Sequence, residues 1–200
     1  FVEQIFETLR WAGFEWQEGP VDPVDFSLRY SQTGRKQHYF ERLKSLSRLT
    51  YACACSRKGA ACACAGKDVA FQPGTHAIRL KVESPELKAK FGDVVLWRKD
   101  DGPAYHWASV VDDLEARINL IVRGDDLRDS SGLQMHIASL VSPGGFSGVR
   151  FLHHPLLLSE GGKKLSKRQK APSVAEMKEA GLTRQALREK LASIVGSWGY

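Results

Sequence analysis

Val2, Ile5, Phe6 and Leu9 recur at helical spacing ahead of Gly13, so the chain opens on an amphipathic helix closed by a glycine. Residues 18–25 are rich in Pro, Gly and acid and read as a loop; Thr33 then precedes a helical pattern carrying Tyr39, Phe40, Leu43 and Leu46. Ile78, Leu80 and Val82 alternate with polar positions as in a half-buried strand. Residues 94–97 form a short apolar strand that ends at Lys99-Asp100-Asp101-Gly102, a hairpin-type turn. Residues 51–104 therefore read as a small β-containing module. Beyond it, 118–122 is a compact apolar strand, Ser130 or Ser131 is placed to cap a helix carrying Leu133, Ile137 and Leu140, and 149–152 is another strand. Strand, helix, strand predicts an α/β layer with a parallel sheet. In the tail, Ser173 and Glu176 make a capping box, that helix stops at Gly181, and Thr183 starts a second helix with Ala186, Leu187, Leu191 and Ile194.

The 200 residues are 42% hydrophobic and 26% charged, which predicts one or two globular domains and excludes collagen-like, coiled-coil and disordered chains. No run approaches the roughly 20 apolar residues of a membrane span, and residues 1–10 lack the pattern of a secretory signal, so the expected compartment is the cytoplasm. The net charge of +6 suits a polyanionic partner without demanding one. A helix that begins at once, with no initiator Met, suggests a fragment of a longer protein.

All four cysteines fall in one stretch, Cys53-Ala-Cys55 and Cys62-Ala-Cys64, where a disulfide framework would spread them to join distant segments. Two readings stand: a knuckle closing four thiolates over one tetrahedral Zn²⁺, or an Ala- and Cys-rich loop with free thiols. His76 is a substitute ligand on the first reading and a polar residue at a strand edge on the second.

Gly161-Gly162-Lys163-Lys164-Leu165-Ser166-Lys167-Arg168-Gln169-Lys170 sets five cations beside two glycines. Such a loop can close over a polyphosphate and stabilise charge on departing pyrophosphate, or it can be a solvated basic turn or an RNA-backbone patch. Arg123 follows an apolar strand directly. Ligands of open α/β sheets bind beyond the carboxyl ends of strands, so Arg123 can meet a carboxylate while Asp125 and Asp126 address ribose hydroxyls or an ammonium group; alternatively it pairs with one of those acids.

Four ordered stretches together resemble the catalytic core of the class I glutamyl-type tRNA synthetases: Tyr51-Ala-Cys53-Ala-Cys55-Ser-Arg-Lys; Ala104-Tyr105-His106-Trp107-Ala108-Ser109-Val110-Val111-Asp112-Asp113; Ile121-Val122-Arg123-Gly124-Asp125-Asp126-Leu127; and His153-His154-Pro155-Leu156-Leu157 leading to Lys164-Leu165-Ser166-Lys167-Arg168, a form of the mobile "KMSKS" signature. The resemblance implies a Rossmann-like parallel sheet with a small zinc-binding, β-containing insertion. It divides the chain into 1–50, the first part of the Rossmann-like domain without its N-terminal strand; 51–104, an acceptor- or stem-contacting insertion; 105–158, the second Rossmann part; and 159–200, the signature loop with C-terminal helices. Within the group the chain is most similar to the glutamyl-Q tRNA(Asp) synthetases, shortened relatives without an anticodon-binding domain, since only 32 residues follow Arg168.

That likeness implies activation of glutamate with Mg-bound ATP, then transfer to the queuosine base of tRNA(Asp). The alternatives are a core fragment of an enzyme charging tRNA(Glu), a catalytically dead tRNA-binding relative, and a zinc-knuckle nucleic-acid module beside an unrelated α/β domain. A monomer with no membrane association is expected. Residue by residue, Tyr105 and Arg123 match the glutamate pocket, with Ser109 where these enzymes often carry Asn. Asp126 matches an acid near the ATP ribose, and Leu156 and Leu157 match the adenine site. Lys167 matches the phosphate-stabilising lysine, with Lys164 and Ser166 supporting loop closure. Cys53 and Cys55 match the first two zinc ligands. Cys62 and Cys64 would complete the set, closer to the first pair than is usual in the family.

The family's "HIGH" motif is absent, because His153-His154 is followed by Pro; it would precede Phe1. Half of the in-line phosphate clamp is then missing, and the 200-residue chain alone is expected not to activate glutamate at a useful rate, whereas the intact protein does. In the intact protein, Lys167→Ala should lower the adenylation rate more than it weakens glutamate binding, because the charge is needed as pyrophosphate departs. Pre-steady-state adenylate formation checks this, and an unchanged rate removes Lys167 from the mechanism.

Overall fold

The computed structural model describes residues 1–55, 62–67, 69–158 and 172–196. In chain order the elements are α1 (Val2–Ala12), α2 (Pro23–Asp25) running into a π-helical turn (Phe26–Tyr30), α3 (Lys36–Leu43) with a 3-10 extension (Lys44–Leu49), β1 (Thr50–Cys53), β2 (Ala77–Leu80), α4 (Pro85–Phe91), β3 (Val94–Trp97), α5 (Tyr105–Glu115), β4 (Leu120–Gly124), a 3-10 turn (Asp125–Leu127), α6 (Arg128–Val141), β5 (Arg150–His154), α7 (Val174–Glu179) and α8 (Arg184–Gly196). They form two compact units, one of Phe1–Ser31, Gly124–Asp126 and His153–Tyr200, the other of Gln32–Arg123 and Leu127–Leu152.

In the first unit, α1 buries Phe6 and Ala12 and ends at Gly13, whose φ of 79° lets its own N–H and that of Phe14 turn back onto Arg10 and Leu9. A Cβ on Gly13 would sit 1.4 Å from Arg184 Nη2, because the Arg184 side chain lies across the glycine and donates from Nε to the Ala12 carbonyl at 3.1 Å. The capping box forms in both directions: Glu176 N–H donates to Ser173 Oγ at 3.2 Å and Ser173 N–H to Glu176 Oε2 at 2.6 Å. Gly181, at φ 97°, ends that turn, and Thr183 Oγ1 accepts from Ala186 N–H at the start of α8.

The second unit holds the core. The strands β1, β2 and β3 form an antiparallel sheet in that order, with Thr50 opposite Leu80, Cys53 opposite Ala77 and Leu80 opposite Val94. Leu80, Leu96 and Trp97 pack with Tyr39, Leu43 and Leu46 from the α3 segment and with α5 and α6. Helix α5 buries Trp107, Ala108, Val110 and Val111, and α6 buries Leu133, Gln134, Ile137 and Ala138, the two stripes facing the same core. Trp107 Nε1–H donates to the Tyr39 carbonyl at 3.0 Å, so this fully buried aromatic is also satisfied. Strands β4 and β5 pair in parallel, connected through α6. Among the described residues no helix is long and apolar enough to cross a membrane.

Several local expectations change. Helix α6 starts at Arg128 with no side-chain cap, so neither Ser130 nor Ser131 caps it. Strand β4 starts at Leu120 because α5 closes with Arg117 in the left-handed region at φ 52° and the Ile118 N–H bonding back to the Asp113 carbonyl at 2.9 Å. Helix α4 escaped the periodicity argument, although Ser84 as cap and Pro85 at its first position announce it.

Gly13→Ala should lower the thermal midpoint, and the loss should shrink in an Arg184→Ala background. There the overlap with the guanidinium is gone, and only the left-handed backbone cost of about 1–2 kcal/mol remains. A double-mutant cycle by thermal or urea unfolding checks the difference.

Candidate functional site

Strand β4 carries Arg123 into the second unit's interior, where it is 8% exposed. Its Nη1 donates to Gln134 Oε1 and its Nη2 to Ser131 Oγ, both at 2.6 Å, and the guanidinium stands 5.0 Å over the Phe151 ring. Gln134 passes the contact on: its Nε2 donates to Ser109 Oγ at 2.5 Å, and Ser109 in turn donates to the His106 carbonyl at 3.3 Å. Each acceptor that Arg123 bonds is neutral, and its Nε is buried with no hydrogen-bond partner among the described residues. Asp125 and Asp126 do not supply these bonds. A desolvated guanidinium whose bonded acceptors are neutral is not directly paired with a carboxylate, although the Asp113 charge reaches it through space, and its planar fork suits one.

Around this cation the titrating groups shift in a consistent way. Burial, followed by the repulsion of Asp112, raises Asp113 to about 6, and Arg123 only partly offsets this. Burial and then the nearby Arg123 charge lower the His106 pKa, so its ring is neutral near pH 7, with Nδ1 buried and unpartnered among the described residues. Tyr105, at the start of α5, is 53% exposed with its ring 5.3 Å from that of His106. Tyr105, Ser109 and Arg123 thus belong to one unit, and Gln134 joins the last two directly.

Gly124, Asp126 and Leu156 meet in the first unit. A Cβ on Gly124 would lie 2.6 Å from Asp126 Oδ1 and 3.1 Å from Leu156 Cδ2, so only glycine leaves these side chains where they are. Leu157, the next residue, is 42% exposed. Lys164, Ser166 and Lys167 lie outside the described residues.

The four cysteines come together. Cys53 Sγ lies 3.1 Å from Cys62 Sγ, Cys55 lies 3.6 Å from Cys64 and 3.7 Å from Cys62, and all four sulfurs fall within 4.8 Å of one another without a disulfide. A tetrahedron of thiolates with metal–sulfur bonds of about 2.3 Å has edges of about 3.8 Å, so the set fits one ion such as Zn²⁺. The protons are unevenly shared. Hydrogen bonds to Cys64, then Cys62 and Cys53, push Cys55 up to about 11. Burial works to raise Cys62, but bonds from Cys53, the Cys64 backbone, Tyr51 and Cys55 outweigh it and bring the thiol to about 6. His76 is engaged elsewhere, its Nδ1 lying 3.2 Å from both Gln72 N and Thr75 Oγ1.

Residues 68–197 match the family model described as "tRNA synthetases class I (E and Q), catalytic domain". The chain belongs to this family. The synthetase chain is 38% identical to a protein named glutamyl-Q tRNA(Asp) synthetase from Pseudomonas aeruginosa (strain LESB58), covering 93% of this chain and 67% of that one. It is 34% identical to one of the same name from Prochlorococcus marinus (strain MIT 9313), covering 90% and 61%. It is also 29% identical to glutamate–tRNA ligase 2 of Halorhodospira halophila, covering 99% and 47%. A glutamate–tRNA synthetase from Elizabethkingia anophelis shares the fold, with a TM-score of 0.58, 22% identity and coverage of 83% of this chain and 42% of that one. The chain therefore spans about half to two thirds of the curated relatives it matches.

The family match begins after Cys64, so the sulfur cluster stands on its own geometry. Sequence reasoning missed Ser131, Gln134, His106 and Asp113. Gln134 carried a usable signal: it is a polar residue inside the apolar stripe of Leu133 and Ile137, and a polar group there has to serve a buried partner.

The Asp113 shift sets a pH window. Its folded pKa of about 6 exceeds the ordinary 3.8, so the unfolded chain releases this proton first, and stability falls as pH rises from about 4 to about 6. The lowered carboxyls Asp25, Asp93, Asp101 and Glu176 act with opposite sign, their contribution being lost as pH falls below the ordinary values of 3.8 for Asp and 4.5 for Glu. Asp113→Asn should raise the thermal midpoint at pH 7.5 and flatten its decline between pH 4 and 6, read from melts across that range.

Proposed function

We propose that the intact protein activates glutamate with ATP and transfers it to a hydroxyl of the queuosine base of tRNA(Asp). The observation that carries this reading is the buried Arg123, held by neutral oxygens of Gln134 and Ser131 with no carboxylate among its hydrogen-bond partners. The names of the relatives, several of them glutamyl-Q tRNA(Asp) synthetases at 34–38% identity, support the choice of amino acid and acceptor.

Arg123 then pairs with a carboxylate of glutamate, while Tyr105 and Ser109 complete its pocket. Asp126 addresses the ATP ribose, and Leu156 and Leu157 hold adenine. A glutamate carboxylate oxygen attacks the α-phosphorus of Mg-bound ATP, and the bond to the bridging oxygen breaks to release pyrophosphate. Lys164, Ser166 and Lys167 stabilise that departing charge. The queuosine hydroxyl next attacks the acyl carbon of the mixed anhydride, giving up its proton as AMP leaves. Residues 1–50 and 105–158 form the two parts of the catalytic domain, 51–104 the insertion that contacts tRNA, and 159–200 the signature loop and final helices. One structural Zn²⁺ held by Cys53, Cys55, Cys62 and Cys64 would cross-link the insertion. The enzyme works as a cytoplasmic monomer.

Incubating the intact protein with labelled glutamate, ATP and either tRNA(Asp) or tRNA(Glu), then mapping the label, tests the reading. Label on the queuosine base supports it. Label on the terminal ribose of tRNA(Glu) assigns the charging reaction, and no adenylate with either tRNA identifies a catalytically dead relative. Arg123→Ala should raise the glutamate KM about 10- to 100-fold as well as slow the reaction, in line with the roughly 1.5–3 kcal/mol of a charged hydrogen bond. An unchanged KM contradicts carboxylate pairing.

A further inference from the structure

Tyr51 and Arg79 are direct cross-strand partners of β1 and β2, and Cys53 lies two residues beyond Tyr51, so the three side chains share one face of the sheet. Arg79 uses its fork in two directions there. Its Nε–H donates to Cys53 Sγ at 3.3 Å, and its Nη1 donates to the Asp93 carbonyl at 2.7 Å. The Asp93 carboxylate is itself fixed: Tyr51 Oη donates to its Oδ2 at 2.8 Å, Val82 N–H to its Oδ1 at 3.2 Å, and Lys88 Nζ lies 3.3 Å from Oδ1. Cys53 is therefore tied through Arg79 to Asp93, just before β3, the same residue whose carboxylate Tyr51 holds.

We propose that Arg79 is the positioning residue of the four-cysteine centre, holding Cys53 in ligating orientation and offsetting the excess charge of four thiolates on a divalent ion. The proposal rests on the metal reading above. Four thiolates around one divalent cation carry a net −2, and a half-buried guanidinium bonded to one sulfur reduces that where water screens little. Arginine is required because one planar group must reach a sulfur and a carbonyl together; a lysine offers a point charge without that fork. The N–H to sulfur bond also draws electron density from the Cys53 thiolate, which gives a spectroscopic handle apart from affinity.

The test uses the purified full chain as wild type, Arg79→Met, Arg79→Lys, Cys53→Ser and Val95→Ala. Val95 faces Arg79 across β2 and β3, so its truncation loosens the sheet without removing the bond to sulfur. Zinc content, zinc affinity by competition with a chromophoric chelator, and the absorption of the Co²⁺-substituted protein are measured. The expected result is one zinc in wild type and loss of zinc in Cys53→Ser. Arg79→Met should bind about 10- to 100-fold more weakly, and its sulfur-to-cobalt charge-transfer band should move to longer wavelength. Arg79→Lys should recover part of the affinity but not the band position, and Val95→Ala should lower the thermal midpoint with affinity and band unchanged. Wild-type affinity and an unshifted band in Arg79→Met overturn the proposal while leaving the metal reading intact. A folded wild type that binds neither metal overturns both. If Arg79→Met does not fold, Arg79→Lys decides, and an unshifted band there overturns the positioning role.

Discussion

Burying a guanidinium is costly unless its N–H groups are bonded, and the way Arg123 meets that demand organises the second unit. Two of its nitrogens are bonded by Ser131 and Gln134, one turn apart on α6, and Gln134 extends the chain of bonds to Ser109 on α5. The two helices and β4 are thereby fixed by polar contacts inside a core that is otherwise built of aliphatic and aromatic side chains. Apolar packing alone tolerates sliding of a helix by small steps, whereas bonds of 2.5–2.6 Å to a shared amide do not. The register of α5 against α6 is set at the same place where the carboxylate-sized charge is presented.

Much of the architecture was legible because its signals are local. The helix closed by Gly13, the capping box of Ser173 and Glu176, and the turn at Gly102 each depend on residues within a few positions of one another. What the sequence concealed depends on residues far apart or of the wrong type for the rule. The apolar run 118–122 reads as a strand, but Ile118 spends its N–H closing α5. That closure uses Arg117 in a left-handed conformation where a glycine would have advertised it. Two residues of register follow from that one substitution, and they place Arg123 within β4 rather than just beyond it.

The same contrast holds for the sites. Cysteines crowded into 53–64 announce a shared centre without help from the fold. Arg79 does not, because between Ile78 and Leu80 it follows the alternation of a half-buried strand and reads as a solvent-facing cation. Ser131 looked like a helix cap by its residue type, yet α6 already runs through it, and its hydroxyl serves Arg123 instead. In each case the side chain's partner comes from another element, so only tertiary pairing reveals the role.

Neutral partners around Arg123 also carry a consequence for selectivity. A carboxylate bonded to the guanidinium would satisfy it more strongly than Gln134 and Ser131 do, but it would also cancel the charge an incoming anion needs. Oxygens of an amide and a hydroxyl orient the fork while leaving its charge in place. Asp113, the acid whose field reaches Arg123, is burdened by burial and by Asp112 so that it gives up its proton only near pH 6. His106, on the same helix, is pushed towards its neutral form and adds no competing cation. In the proposed reaction this arrangement favours a ligand that brings a carboxylate over one that brings an amide, because the guanidinium has no carboxylate among its hydrogen-bond partners and a ligand carboxylate bonds it directly. It does so through groups fixed before the ligand arrives, which keeps the cost of reorganisation out of the binding step.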